Sequence, residues 1–367
     1  MKKTSMGVIQ GASIIITVMI SHIILNMPNH LLASTGSSTI INLIYVFIIS
    51  SIVFFIAYKV FSLFPGKDII DICEFTGGKW LKNLFSIAVC IYFITISGFV
   101  IRTFAESLVL IYFPNIDREI VILMFIAIAA AMNIFGFKAI ARVTLITLPI
   151  ILISMVIIFV SSSSHFIPQR AFPILGYGTN ETFLTGSSNV FAFASMFIAP
   201  FLIPYLNSNK KFKKSSIIAL VVYSLYLMLG IIALLFLIPS ISEINNTLSI
   251  YILSRRVNFG TFIQRIDAVF ILFWIMSIFN YLAITMYFSL DTFKRITHIK
   301  EKNGMVFCFS ALVFTVAMIP QTISDINLFE RTYYKYLSIA FVFIISMFIL
   351  IWAYFKKKKM SKKGARI

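Results

Sequence analysis

The chain has 367 residues, of which 60% are hydrophobic and only 12% charged, with a mean hydropathy of +0.97. That composition excludes a disordered chain, whose low hydrophobicity cannot offset chain entropy, and a membrane β-barrel, whose strands alternate in polarity. The net charge of +18 does not describe a nucleic-acid partner, because the lysines fall in short clusters between apolar runs, such as Lys210, Lys211, Lys213 and Lys214 or Lys356 to Lys359.

A helix needs roughly 20 apolar residues to cross a ~30 Å hydrocarbon layer. Apolar runs bounded by charge, Pro or Gly predict ten such spans, near 8–32, 39–63, 83–112, 119–136, 142–162, 187–206, 215–239, 264–290, 304–320 and 334–355. The connections left over are too short for an independent domain of ~50 residues, so no catalytic domain outside the membrane is expected. Lys2 and Lys3 precede the first run with no small-residue cleavage signature behind it, which predicts a retained first span. Cys73, Cys90 and Cys308 have neither disulfide nor metal spacing and read as packing residues.

Most Lys and Arg lie in the tails and in the connections on the side of the N-terminus, including Lys59, Lys67, Lys138 and Lys294. The opposite side carries far fewer, among them Arg118, Arg170, Arg331 and Lys335. Cytoplasmic loops carry the excess of basic residues, so both termini are expected in the cytoplasm. The two largest outer connections are 163–186, rich in Pro, Gly, Ser and Thr and expected to form an irregular or re-entrant lid, and 240–263. In the second, Leu248, Tyr251 and Ile252 have the spacing of a short interfacial helix.

Helices in lipid must satisfy their own backbone groups, so an interruption is tolerated only where the freed groups meet a cavity, another helix or a ligand. Span 1 reads Ser21, His22, Ile23, Ile24, Leu25, Asn26, Met27, Pro28, and Pro28 disturbs the carbonyl of Ile24 four residues earlier. Span 6 carries Pro200 and Pro204. These spans open the two halves of a five-plus-five division, and an odd number per half inverts the second half, the pattern of inverted-repeat transporters. The expected organisation is a first five-helix repeat over 1–162, an outer lid and second repeat over 163–355, and a basic tail over 356–367. Proline kinks that serve packing alone are the other reading.

The whole chain resembles the B-subunit family of spore germinant receptors, a branch of the amino acid, polyamine and organocation transporter superfamily. The likeness rests on length, ten spans, Leu25-Asn26-Met27-Pro28, Phe172-Pro173-Ile174-Leu175 before span 6, and Arg265-Ile266-Asp267-Ala268 leading into Phe273-Trp274. It implies an all-α polytopic membrane protein with a LeuT-like inverted repeat and broken helices 1 and 6. It further implies an amino-acid-like germinant between those helices, and a complex with a larger A subunit and a lipoprotein C subunit among the lipids of the spore inner membrane. The candidate ligand-binding residues are Ser21, His22, Leu25 and Asn26 at the first break, Ala194, Ser195 and Ile198 at the second, and Gly98, Arg102 and Asn280 in spans 3 and 8.

Arg102 and Glu106 share a helix face at i, i+4 in span 3. A lone charge at the bilayer centre costs at least ~2.5 kcal/mol, so mutual pairing is expected, either as an outer gate or as a structural pair reaching the interface. His22 beside the break reads as a ligand contact or as a packing residue, while Asn189, Ser277 and Thr285 are lesser candidates. Arg265 and Asp267 flank the outer start of span 8 as surface anchors or gating groups. There is no H-E-x-x-H, no phosphate-binding Gly-rich lysine loop and no G-x-S-x-G, so neither catalysis, nor a cofactor, nor a metal is expected. Three functions fit: a membrane sensor of a small nutrient, an active secondary transporter, or a structural subunit of a channel complex without a ligand.

Overall fold

Helix α1 (Val8–Leu25) runs through the middle of the bundle and stops at Asn26, whose backbone leaves the helical region at φ −138° and ψ 4°. Helix α2 (Met27–Thr35) begins at once beyond it, with Pro28 in the first turn, where a missing N–H costs nothing. Span 1 is therefore two half-helices meeting at one residue. In the computed structural model the described residues are 6–237, 266–297, 299 and 303–364. The predicted interfacial segment in 240–263 and Arg265 lie outside them, as does the side chain of Asp267.

A tight 3-10 turn, Gly36–Ser38, joins α2 to α3 (Thr39–Ser62). Helix α4 (Ile69–Ile111) starts earlier than span 3 was expected to, because Asp68 caps it. The Asp68 carboxylate accepts from the Asp71 N–H (3.1 Å), and the Asp71 carboxylate accepts from the Asp68 N–H (3.2 Å). Gly78, at φ +72°, then bends this helix between its short capped start and the long span, a conformation that a side chain disfavours. Helices α5 (Arg118–Phe135) and α6 (Phe137–Ser162) follow, separated by Gly136.

The outer connection after α6 consists of short 3-10 turns, Ser163–His165 and Pro168–Ala171, and a π turn, Asn180–Leu184. It is fastened to the α2–α3 corner. Asn42 donates to the carbonyls of Thr182 (2.7 Å) and Gly186 (3.0 Å) and accepts from Asn189 (2.8 Å). Span 6 continues as a 3-10 helix over Thr185–Leu202 and ends in one α turn, α7 (Ile203–Leu206). The disturbance expected from Pro200 and Pro204 thus takes the form of tighter winding along the whole span, not of one gap in the helix.

The second half comprises α8 (Asn209–Leu237), α9 (Ile266–Thr297) and α10 (Asn303–Ala317), then a last continuous rod. That rod consists of α11 (Ile323–Leu328), a π segment Phe329–Tyr334, α12 (Lys335–Ser338), a second π segment Ile339–Ile345 and α13 (Ser346–Gly364). It starts about three turns before the expected position 334. Arg331 and Lys335, read from the sequence as loop residues on the outer side, are within it.

Among the described residues, eight helices are long and apolar enough to cross a membrane, with Val8–Ile23 and Asn303–Ala317 as shorter apolar helices. Counting α1 with α2 as one interrupted span reproduces the order of the ten predicted spans. Helix α1 packs against α6, α8, α9 and span 6, while α9 packs against α4, α5 and α6. One end of the bundle collects the basic residues. There Lys356 donates to the carbonyls of Phe75 (2.8 Å) and Thr76 (3.0 Å), Lys357 donates to that of Leu63, and the Lys213 ammonium lies 5.3 Å from the Tyr58 ring centroid.

Candidate functional site

The break at Asn26 opens on a cleft walled by both half-helices, by α4, by span 6 and by the π segment Phe329–Tyr334. From span 1 come His22, Leu25, Asn26 and His30; from α4 come Ile96, Phe99 and Val100. Its polar centre is Glu330. One carboxylate oxygen accepts from the Asn26 amide (3.3 Å) and lies 3.1 Å from His30 Nε2; the other accepts from the Thr103 hydroxyl (2.9 Å). Two segments far apart in sequence, the break of span 1 and α4, thus converge on one carboxylate, as a lone charge in a bundle interior requires.

Next to this centre stands an aromatic group. The His22 ring stacks on Tyr334, with centroids 5.3 Å apart and planes 11° from parallel, and meets Tyr281 edge-on at 5.3 Å. His22 is only 7% exposed, and its Nε2 has no hydrogen-bond partner among the described residues. Phe99 stacks against Phe329, so the same π segment supplies both the acid and an apolar wall. The Tyr334 hydroxyl lies beside Ser195 and Ser338.

His22, Leu25 and Asn26, singled out from the sequence, therefore share the cleft wall, and Ser195 stands next to it. Ser21 is turned toward α9, where its hydroxyl lies 2.8 Å from that of Ser277 and donates to the Thr17 carbonyl (2.8 Å). Ala194 and Ile198 are buried inside span 6 and are not among the cleft residues. Asn280 joins α9 to α6 by donating to the Thr147 hydroxyl (2.8 Å) and accepting from that of Thr144 (3.3 Å). Gly98 is a packing position: a Cβ there would lie 2.5 Å from a methyl of Val316 on α10.

Arg102 is 1% exposed, and its Nη2 lies 3.6 Å from Glu106. Glu106 is shared, because both of its oxygens accept from Nη1 of Arg118 (3.3 and 3.2 Å) at the start of α5. The group therefore ties α4 to α5, apart from the cleft. Sequence reading missed His30, Thr103, Glu330 and Tyr334. The last two stand among Asp325, Arg331 and Lys335, a polar stretch that reads as a connection; the one available signal was that capping pattern Thr322 to Asp325 starts a helix there.

The family model described as spore germination protein matches residues 5–326. The chain belongs to the spore germination protein family. Bacillus subtilis relatives include spore germination protein A2, 24% identical over 290 residues with 78% of each chain covered, and spore germination protein B2, 22% identical over 312 residues with 83% of this chain and 84% of that one. Spore germination protein KB is 22% identical and covered to 84% on both sides. The fold is transporter-like: a Na+-coupled sialic acid symporter in a substrate-bound, outward-open state superposes with a TM-score of 0.67 at 13% identity, over 93% of this chain and 80% of that one. The family match extends across the α1–α2 break and ends at Ile326, just before the Glu330 segment.

Proposed function

We propose that this protein is the membrane-embedded, germinant-sensing subunit of a spore germination receptor, and that its germinant is an amino acid or a similar zwitterion held in the cleft at Asn26. The observation that carries this reading is that one cleft is lined both by a carboxylate, Glu330, and by an imidazole nitrogen, His22 Nε2, that has no hydrogen-bond partner among the described residues. A carboxylate can accept from an ammonium group, and an imidazole N–H or the positive N-terminal end of a half-helix can face a carboxylate. The neighbouring Phe99, Phe329 and Tyr334 supply an apolar wall for the ligand's side chain.

A sensor of this kind works only by differential affinity: the ligand favours one arrangement of the half-helices, and a partner reads the change. The A and C subunits of the resemblance are the proposed partners, and the spore inner membrane the proposed location. The basic end of the bundle supports cytoplasmic termini. The two repeats, 1–162 and 163–355, are the proposed moving bodies.

The test uses the purified full chain. Amino acids are titrated by calorimetry, and uptake of the same labelled compounds into liposomes is followed with and without a proton gradient. The sensor reading expects binding that Ser195→Trp abolishes, without uptake. Gradient-driven uptake would assign the chain to transport, and failure of a folded protein to bind any of them would leave a structural subunit.

A further inference from the structure

A second cavity, roomier than the cleft, shares no wall residue with it and lies between α3, span 6, α8 and the last rod. Its lining is apolar apart from two serines. The Ser346 hydroxyl is satisfied by donating to the Phe341 carbonyl (2.8 Å), but the Ser50 hydroxyl, on a residue only 5% exposed, has no partner among the described residues. The chamber thus offers one hydrogen-bonding group in an otherwise hydrocarbon-like space, too apolar to hold ordered water.

Its surroundings say what enters. Along α3, Ile52 and Ile56 are 54% and 45% exposed; along the last rod, Phe348 and Ile351 are 66% and 43% exposed. These stripes face hydrocarbon in a membrane, and the residues between them, Val53 and Ala57 on one side and Phe343 and Met347 on the other, are half-buried chamber wall. The chamber therefore opens sideways into lipid. Toward the basic end, Lys213 follows the wall residue Phe212 and holds its ammonium 5.9 Å from the Phe55 ring and 5.3 Å from that of Tyr58, while Lys59, next to Tyr58 along α3, is exposed. An apolar chamber that opens to hydrocarbon under a cationic rim complements one kind of molecule.

We propose that this chamber holds one acyl chain of an anionic phospholipid, whose headgroup is held by Lys59 and Lys213. The guest rests on Phe193, Phe197 and Pro200 of span 6, the helix that also places Ser195 beside Tyr334, so lipid composition bears on the geometry of the cleft.

The test uses the full chain in mild detergent, with lipid retention read by native mass spectrometry for phosphatidylglycerol and phosphatidylcholine of identical chains. Phosphatidylglycerol is expected to be retained in preference, and Lys59→Gln and Lys213→Gln each to lower that preference about fivefold, with phosphatidylcholine unchanged. Ala57→Phe, which fills the chamber, is expected to reduce retention of both. A preference that is absent, or that survives the two lysine variants together, overturns the headgroup assignment. A diazirine placed mid-chain in the phospholipid gives a readout on the unaltered protein. Labelling of the peptides around Ser50–Phe61 and Val342–Leu350 supports the site; labelling elsewhere only, or labelling there only by a single-chain alkyl probe, overturns it.

Discussion

Removing the charge of Glu330 tests the cleft most directly. Three side chains converge on this carboxylate, at 3.3 Å from Asn26, 3.1 Å from His30 and 2.9 Å from Thr103. Glu330→Gln keeps an acceptor for Thr103 but weakens two contacts whose strength comes from the charge, each worth about 1.5–3 kcal/mol when the acceptor is ionised. Because the carboxylate is 14% exposed, the lower end of that range applies, and a loss of about 2 kcal/mol is expected. Glu330→Ala also strands Asn26, His30 and Thr103, and a loss of about 3–5 kcal/mol follows from three buried partners left unsatisfied. The assay is unfolding of the purified protein in detergent, for Glu330→Gln, His30→Gln and the double variant. Coupling of at least about 1 kcal/mol between the two positions is expected for groups in contact. Additive effects, or a Glu330→Ala variant as stable as the parent, would refute the claim that Glu330 organises the cleft.

Other consequences follow from single positions. Gly98→Ala is expected to cost about 1–3 kcal/mol by overpacking against Val316, and Val316→Ala in the same chain to restore only part of the lost thermal stability, because the Val316 Cβ, which alanine keeps, would itself lie 2.7 Å from the new methyl. Asn42→Ala strands the carbonyls of Thr182 and Gly186, and limited proteolysis within 163–186 is expected to become faster; an unchanged cleavage rate would show that the connection is held by other contacts. Arg295→Met leaves Asp68, which is fully buried, without the guanidinium that also reaches Asp291 (2.8 Å). Burial pushes the Asp68 carboxyl above the usual carboxylate range, and Arg295 opposes that rise. A carboxyl with a raised folded-state pKa binds protons more readily folded than unfolded, so stability of this variant is expected to increase as pH falls through that pKa. A pH profile parallel to that of the parent would count against an ionised Asp68–Arg295 pair.

The order of spans was legible because each apolar run is long and bounded by charge, and the break in span 1 because Pro28 restricts where a helix can continue. The residue that leaves the helix is Asn26, a poorer helix former than Leu25 or Met27 and a favoured capping residue, but propensity does not say that its side chain reaches Glu330. Pairing of Arg102 with Glu106 could be read from spacing along one helix; the competing claim of Arg118 could not, because it depends on how α5 returns beside α4. Glu330 was hidden for a different reason. A carboxylate flanked by Arg331 and Lys335 lowers local hydropathy to that of a loop, and only the converging donors from α2 and α4 make it affordable inside the bundle. Span 6 shows the limit in reverse: its prolines signalled a disturbance, but whether a chain answers with a gap or with 3-10 winding is decided by its neighbours.

Asn26 interrupts span 1 and donates to Glu330 with the same residue. Its backbone is the pivot between two half-helices, and its side chain is a latch on that pivot, fastened to a rod from the other half of the chain. On the proposed sensor reading, a ligand ammonium that competes for Glu330 would loosen the latch without touching the pivot. Recognition and release of motion then share one hydrogen bond, and no relay through the bundle is needed to connect them.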